Sequence, residues 1–157
     1  MALFANKFES AKQDWTTPQK MWDRLHVEFN FTIDLAADAS NTKCTAFYSA
    51  DCTALEATWH GSGWLNPPYG AKAGKLSDWV KKAYYETRKE HCCVVMLIPA
   101  RTNTRWFHDY CMKAAELRFL KGRPKFGDAK HGLPQPLVLV VFKANSNNVP
   151  IVTSFEV

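Results

Sequence analysis

The stretch CCVVMLIPA, at residues 92–100, decides the fold class. It contains no charged residue and no alternation of polar and apolar positions, which is typical of a strand buried on both faces. A second run of this kind, PQPLVLVVFK, lies at residues 134–143. Segments with helical periodicity alternate with the strand-like runs, so helices are available to cover the sheet. The sequence therefore predicts an α/β fold with a mostly parallel sheet and helices on both faces.

Three segments are predicted to supply those helices. The first begins with Thr17 and Pro18, a common helix start, and places Met21, Trp22 and Leu25 on one face. The predicted helices cover residues 16–29, 75–91 and 102–115. Shorter strands are predicted at residues 31–35, before the sequence NPPY, from residue 116 onward, and at the edge of the sheet in the tail 144–157.

Composition indicates one domain over residues 1–157, with about residues 1–13 loosely ordered because their patterning is weak. No apolar run is long enough to span a membrane, and the first residues do not resemble a signal peptide, so we expect a cytoplasmic protein. Five cysteines contain no C-x-x-C pair and five histidines show no ligand spacing, so no metal is expected. The net charge of +5 permits a polyanionic partner but is specific to none.

Polar and basic residues follow several of the predicted strands. Asp34 and Asn66 lie where strands are expected to end, and basic clusters at 72–75, 101–105 and 121–125 each come after a strand-like run. In α/β sheets, ligands bind beside the carboxyl ends of the strands. The sequence therefore predicts that these residues share one edge of the sheet.

The sequence GWLNPPYG, at residues 63–70, combines an amide, two prolines and a phenol ring on a stiff hinge. The side-chain oxygen of Asn66 and the backbone carbonyl of Pro67 can accept hydrogen bonds from one exocyclic amine. Such a pair favours a tetrahedral nitrogen whose lone pair can attack an electrophile. The ring of Tyr69 offers a surface on which a base could stack, provided that the base is flipped out of a duplex.

The tetrapeptide NPPY matches the motif [DNS]-P-P-[YFW] of amino-group methyltransferases that use S-adenosylmethionine. Four further blocks, DWTTP, FTIDLAAD, VVMLIPARTNTRWFH and FLKGRPKFG, occur in the order found in phage-type DNA N-6-adenine (Dam-like) methyltransferases. The chain resembles that family from about residue 14 to residue 142. The resemblance implies a Rossmann-like methyltransferase sheet and an enzyme that methylates adenine N6 in double-stranded DNA. It also implies a phage or prophage origin, a bacterial host cell, and protection of DNA from restriction.

The resemblance assigns roles to individual residues. Those implied for catalysis are Asn66, Pro67, Pro68 and Tyr69. Those implied to bind S-adenosylmethionine are Thr17, Pro18, Asp34, Ala36, Asp51 and Asn66. Those implied to contact DNA or the target base are Tyr69, Lys72, Arg101, Arg105, Arg123 and Phe126.

Two departures from the usual methyltransferase pattern concern the part of the chain that is implied to bind S-adenosylmethionine. The sequence DLAADAS contains no glycine, and only the 16 residues 35–50 separate Asp34 from Asp51.

The residues themselves leave other acceptors of the methyl group open: cytosine N4, an RNA adenine, or a protein glutamine amide. A DNA-binding module that has lost its activity is a further alternative. The choice between a monomer and a homodimer also stays open.

Overall fold

The structure is a computed structural model that describes residues 16–49, 53–68, 74–144 and 147–157. Its helices are α1 (Gln19–Phe29), α2 (Thr53–Glu56), α3 (Leu76–Lys89) and α4 (Arg105–Asp109), with a 3₁₀ turn at Cys111–Lys113. Its strands are β1 (Ile33–Ala37), β2 (Ala46–Ser49), β3 (Ser62–Leu65), β4 (Cys93–Pro99), β5 (Glu116–Lys121), β6 (Leu137–Lys143) and β7 (Ile151–Glu156).

The seven strands form one sheet in the order β2-β1-β3-β4-β6-β5-β7. Strands β2, β1, β3 and β4 pair in parallel, and β7 pairs in parallel with β5 at the edge, where the tail was predicted to lie. Strand β6 runs antiparallel to both β4 and β5. The α/β fold is confirmed, but the expectation of a mostly parallel sheet is wrong because the sheet is mixed.

The direction of β6 explains this error. Residues 122–136 connect β5 to β6 without a helix, so the chain turns back beside β5 in place of crossing over the sheet. The residues of β6 are buried from Leu137 to Phe142, and burial on both faces is equally compatible with either strand direction. The apolar pattern therefore predicted the strand and could not predict its orientation.

Helix α1 covers one face of the sheet. Its buried side chains, Met21, Trp22 and Leu25, pack in one core cluster with residues of β3, β4 and β6. The Trp22 ring lies 5.1 Å from that of Phe31 and meets that of Trp64 edge-on at 6.0 Å. Because α1 runs back toward the start of β1, its first turn lies at the edge where the parallel strands end.

Helices α3 and α4 cover the opposite face, so helices occur on both faces as predicted. Their buried residues share a second cluster with Trp59 and Phe142. The carboxylate of Glu86 on α3 accepts hydrogen bonds from the backbone N–H of Trp59 (3.0 Å) and from Lys82 Nζ (2.9 Å). The helix predicted over 102–115 is shorter than expected, because the backbone at Tyr110 (φ −124°) departs from helical values.

Strands β1 and β3, which carry Asp34 and lead to Asn66, approach each other closely. Gly63 on β3 pairs with Ile33, and a Cβ atom at Gly63 would lie 2.6 Å from Leu35 Cδ1. The Leu35 side chain, which is completely buried, thus occupies the space that a side chain at residue 63 would need. In the same register, Asp34 stands opposite Trp64.

Candidate active site

A cleft opens beside the carboxyl ends of β1 and β3. Its walls come from the segment before α1, from β1 and the turn after it, and from the end of β3 with the hinge that follows. The residues that line it are Thr16, Thr17, Asp34, Ala36, Ala37, Asp38, Asn41, Lys43, Trp64, Asn66, Pro67 and Pro68. Six residues predicted from the sequence therefore meet in one cleft: Thr17, Asp34, Ala36, Asn66, Pro67 and Pro68.

The proline hinge that begins at Asn66 follows β3, an interior strand of the sheet. Leu65, the last residue of β3, is completely buried and pairs with Met96 of β4. Asn66 follows it, half-buried against the cleft, and Pro67 is buried. Neither proline has a backbone N–H, so the strand cannot continue past this point. The amide of Asn66 is thereby held at a fixed exit from the sheet, whereas Tyr69 and Lys72 lie outside the described residues.

Asp34 contributes a buried carboxylate to the cleft. Its side chain accepts hydrogen bonds from the backbone N–H groups of Lys43 (3.2 Å) and Ala36 (3.4 Å). Burial raises the pKa of Asp34 above its usual value, and the two hydrogen bonds and the charge of Lys43 oppose that shift. Only 4% of the residue is exposed, so a cationic ligand would find there a carboxylate with little competing water.

The position of Asp34 within its strand differs from the prediction. The strand was predicted over residues 31–35 with the acidic residue at its end, but β1 spans Ile33–Ala37 and Asp34 is its second residue. The register with β2 shifts between Asp34 and Ala37, which marks an irregularity in the pairing. Asp34 nevertheless lines the cleft, together with the residues that follow it.

The turn after β1 supplies cleft residues that the sequence did not single out. Asp38 Oδ1 accepts hydrogen bonds from the N–H groups of Ser40 (2.7 Å) and Asn41 (3.2 Å), and Asn41 Oδ1 accepts one from the N–H of Asp38 (2.8 Å). Lys43 Nζ donates to Gln19 Oε1 of α1 at 2.7 Å. Asp and Asn side chains that bond to nearby backbone are a recognised turn signal. That signal in DASN could have identified an ordered turn, though not its place in the cleft.

The segment before α1 separates this cleft from a second cavity. Thr17, which is buried, faces the cleft, whereas the neighbouring Pro18 lines the second cavity together with Arg123. The N–H of Gly127 donates to the carbonyl of Thr16 at 3.2 Å, which ties the loop after β5 to this segment. Thr17 and Pro18, two of the six residues predicted to hold the cofactor, thus border different cavities.

The four predicted DNA contacts that the structure describes do not line the cleft. Arg101 follows β4 and Arg105 begins α4, and both are exposed. Arg123 is exposed in the loop after β5, but Phe126 is only 5% exposed and packs in the same core cluster as Leu137. Their roles toward DNA stay predictions, as does that of Asp51, which lies outside the described residues.

The described part of the chain lacks the features of a metal site and of a membrane span. No group of three or more His, Cys, Asp or Glu side chains there could hold a metal ion. The four cysteines that it includes are free thiols, and burial raises the pKa of Cys44 and Cys93 to about 11. Among those same residues, no helix has the length and apolarity needed to cross a membrane.

Similarity to known proteins extends over most of the chain. The profile of the family described as DNA N-6-adenine-methyltransferase (Dam) matches residues 5–154. A DNA N-6-adenine-methyltransferase of Escherichia phage T1 is 30% identical over 119 residues, which cover 74% of this chain and 48% of that protein. One of Haemophilus phage HP1 is 29% identical over 156 residues, which cover 92% of this chain and 87% of that protein. The chain thus spans about half the length of the phage T1 relative and most of the phage HP1 relative.

Proposed function

Because this chain belongs to the DNA N-6-adenine-methyltransferase (Dam) family, we propose that it transfers a methyl group from S-adenosylmethionine to adenine N6 in double-stranded DNA. The observation that carries the proposal is the shared cleft of Asn66, Pro67 and Asp34, in which hydrogen-bond acceptors and a buried carboxylate stand together. A base inside a duplex cannot enter such a cleft, so the adenine must flip out of the helix. The reaction would take place in the cytoplasm of the bacterial host.

The charges in the cleft suit S-adenosylmethionine. Its methionine part carries a cationic ammonium and sulfonium and an anionic carboxylate. Asp34 offers a buried carboxylate to the cationic groups, while Lys43, whose Nζ is held by the neutral amide of Gln19, offers a positive charge to the carboxylate. Thr17 and Ala36 complete the wall on either side.

Asn66 and Pro67 would act on the amine that receives the methyl group. When bound, S-adenosylmethionine supplies a methyl group attached to a positively charged sulfur. The side-chain oxygen of Asn66 and the carbonyl oxygen of Pro67 accept hydrogen bonds from the two amine hydrogens, which turns the nitrogen lone pair out of the ring plane. Held in the cleft by Asp34 and Lys43, S-adenosylmethionine would supply its methyl group to this nitrogen and leave as a neutral thioether, and the methylated nitrogen would release a proton to water. These acceptors act most strongly on the developing positive charge, so they lower the barrier.

The direct test supplies labelled S-adenosylmethionine with duplex DNA, RNA or protein in separate reactions. We expect label in duplex DNA, and nucleoside mass spectrometry should identify it as N6-methyladenine. Label in N4-methylcytosine, in RNA or in a glutamine amide would contradict the proposal and assign a different amine. No transfer at all, with DNA binding retained, would favour a binding module without activity.

Cofactor affinity is expected to fall at acid pH through Asp34. Protonation removes the carboxylate charge, and because burial raises the pKa of Asp34, the loss should begin at a higher pH than for an ordinary aspartate. Below that pKa the affinity should decrease by up to about tenfold per pH unit, the limit for one linked proton. Calorimetric titration of the wild type between pH 4 and pH 8 measures this slope.

The matched control for this prediction is Asp34→Asn. This variant should bind S-adenosylmethionine more weakly at neutral pH and should lack the pH dependence of the wild type. Parallel pH profiles for the two proteins would show that the carboxylate of Asp34 does not face the cofactor.

A further inference from the structure

The second cavity, beside Pro18, forms a basic groove. Four cationic side chains line it: Lys20 and Arg24 from α1, and Arg123 and Lys125 from the loop after β5. Glu156 is the acidic residue among its lining side chains. These groups come from segments far apart in sequence, so the concentration of positive charge arises only in the folded chain.

None of the four cations in the basic groove forms a salt bridge with a residue that the structure describes. Lys20, Arg123 and Lys125 are exposed and form no salt bridge with any of the residues that the structure describes. The carboxylate of Glu156 lies 3.7 Å from Lys121 Nζ. The groove therefore holds a positive charge that an anionic ligand could neutralise.

Arg24 differs from the other three because the protein fixes its guanidinium group. It donates a hydrogen bond to the backbone carbonyl of Glu156 and lies 4.3 Å from the centre of the Phe155 ring. This arrangement leaves its charge in place without neutralising it, because a carbonyl and an aromatic ring carry no net charge. Arg24 thus contributes a rigid part of the positive wall.

The loop that carries Arg123 and Lys125 is anchored between these two residues and after them. Pro124 is buried, and its carbonyl accepts a hydrogen bond from the N–H of Leu133 at 3.3 Å. The next anchor is the hydrogen bond from Gly127 to Thr16, at the segment that separates the groove from the cleft. The two cationic side chains therefore project from a backbone that is tied to the wall of the active site.

We propose that the basic groove binds backbone phosphates of the DNA strand that flanks the methylated base, an inference that rests on the proposed function. Thr17 lines the cleft and Pro18, the next residue, lines the groove, so the two cavities meet at this segment of the chain. A strand that delivers a base to the cleft would pass its phosphates across Lys20, Arg123 and Lys125. Lysine and arginine contacts to phosphate position DNA without reading its sequence.

The test compares two variants with the same loss of charge. Lys20→Gln/Lys125→Gln removes two cations from the groove, whereas Lys81→Gln/Lys89→Gln removes two exposed lysines from α3, on the opposite face of the sheet. Binding of a labelled duplex oligonucleotide is followed by fluorescence anisotropy across a salt series. The groove variant should lose affinity by roughly tenfold per phosphate contact near 0.1 M salt, and its logarithmic salt slope should be shallower by about two. The α3 variant should retain the wild-type slope.

Methyl transfer by the same proteins separates this inference from the proposed function. The groove variant should show a raised KM for DNA, an unchanged affinity for S-adenosylmethionine, and the same relative loss on every duplex sequence. Equal salt slopes and equal KM values in the two variants, with a wild type that methylates adenine, would overturn the phosphate groove alone. A wild type that binds duplex DNA through the groove but transfers no methyl group would overturn the proposed function alone.

Discussion

Replacement of Asn66 by alanine is expected to reduce methyl transfer by two or more orders of magnitude while S-adenosylmethionine still binds. Asn66 lines the cleft at the rigid exit from β3, where its side-chain oxygen would accept a hydrogen bond from the target amine. Loss of one preorganised group that stabilises transition-state charge commonly costs about 10²–10³ in rate. Single-turnover transfer to duplex DNA measures the effect, and calorimetry measures cofactor affinity on the same preparation.

The control for this experiment is Asn66→Asp, which keeps an oxygen acceptor at the same position. It should retain far more activity than Asn66→Ala, because the motif [DNS]-P-P-[YFW] of amino-group methyltransferases also allows aspartate at this position. Thermal unfolding of both variants should match the wild type, which would exclude a folding defect. An alanine variant with wild-type single-turnover rates would disprove the catalytic assignment of Asn66.

Trp64→Ala is expected to have a large effect on stability. Trp64 is 1% exposed, and its ring lies 5.6 Å from that of Phe31 and 6.0 Å from that of Trp22, so it joins β3 to α1. Truncation of a buried tryptophan to alanine costs roughly 3–5 kcal/mol of unfolding free energy, a large part of the 5–15 kcal/mol typical of a domain. Urea denaturation followed by circular dichroism measures the loss.

A matched change at a less buried tryptophan tests the reason for that loss. Trp106 at the start of α4 is only half-buried, so Trp106→Ala removes the same atoms from a less enclosed position. Its unfolding free energy should fall by clearly less than that of Trp64→Ala. Similar losses in both variants would show that the packing of Trp64 against α1 and Phe31 contributes little to stability.

Local chemistry made the hinge and the main elements predictable. Two prolines after an apolar run end a strand in any fold, and the periodicity of Met21, Trp22 and Leu25 produces one buried helical face wherever the helix packs. The shared edge of Asp34 and Asn66 was also predictable, because parallel strands present their ends together. The exact bounds of β1 were not, since an irregular pairing with β2 carries the strand to Ala37.

Other parts of the site depend on contacts between distant segments. Lys43 lines the cleft while its Nζ is held by Gln19 of α1, and Arg24 is held by the end of β7. Neither pairing could be predicted from the sequence, because no motif or periodic pattern around these residues indicates the partner. The basic groove likewise joins α1 to the loop after β5, and only folding brings its cations together.

The sequence by itself determined that the chain forms an α/β sheet and that an amide–proline hinge follows one of its strands. These properties follow from the side chains and backbone limits of short segments. The tertiary structure alone decided the antiparallel direction of β6 and the division of Thr17 and Pro18 between two cavities. The reason is physical: an apolar strand buried on both faces is compatible with either direction, and neighbouring residues can face different cavities. Only the packing of the whole sheet selects one arrangement.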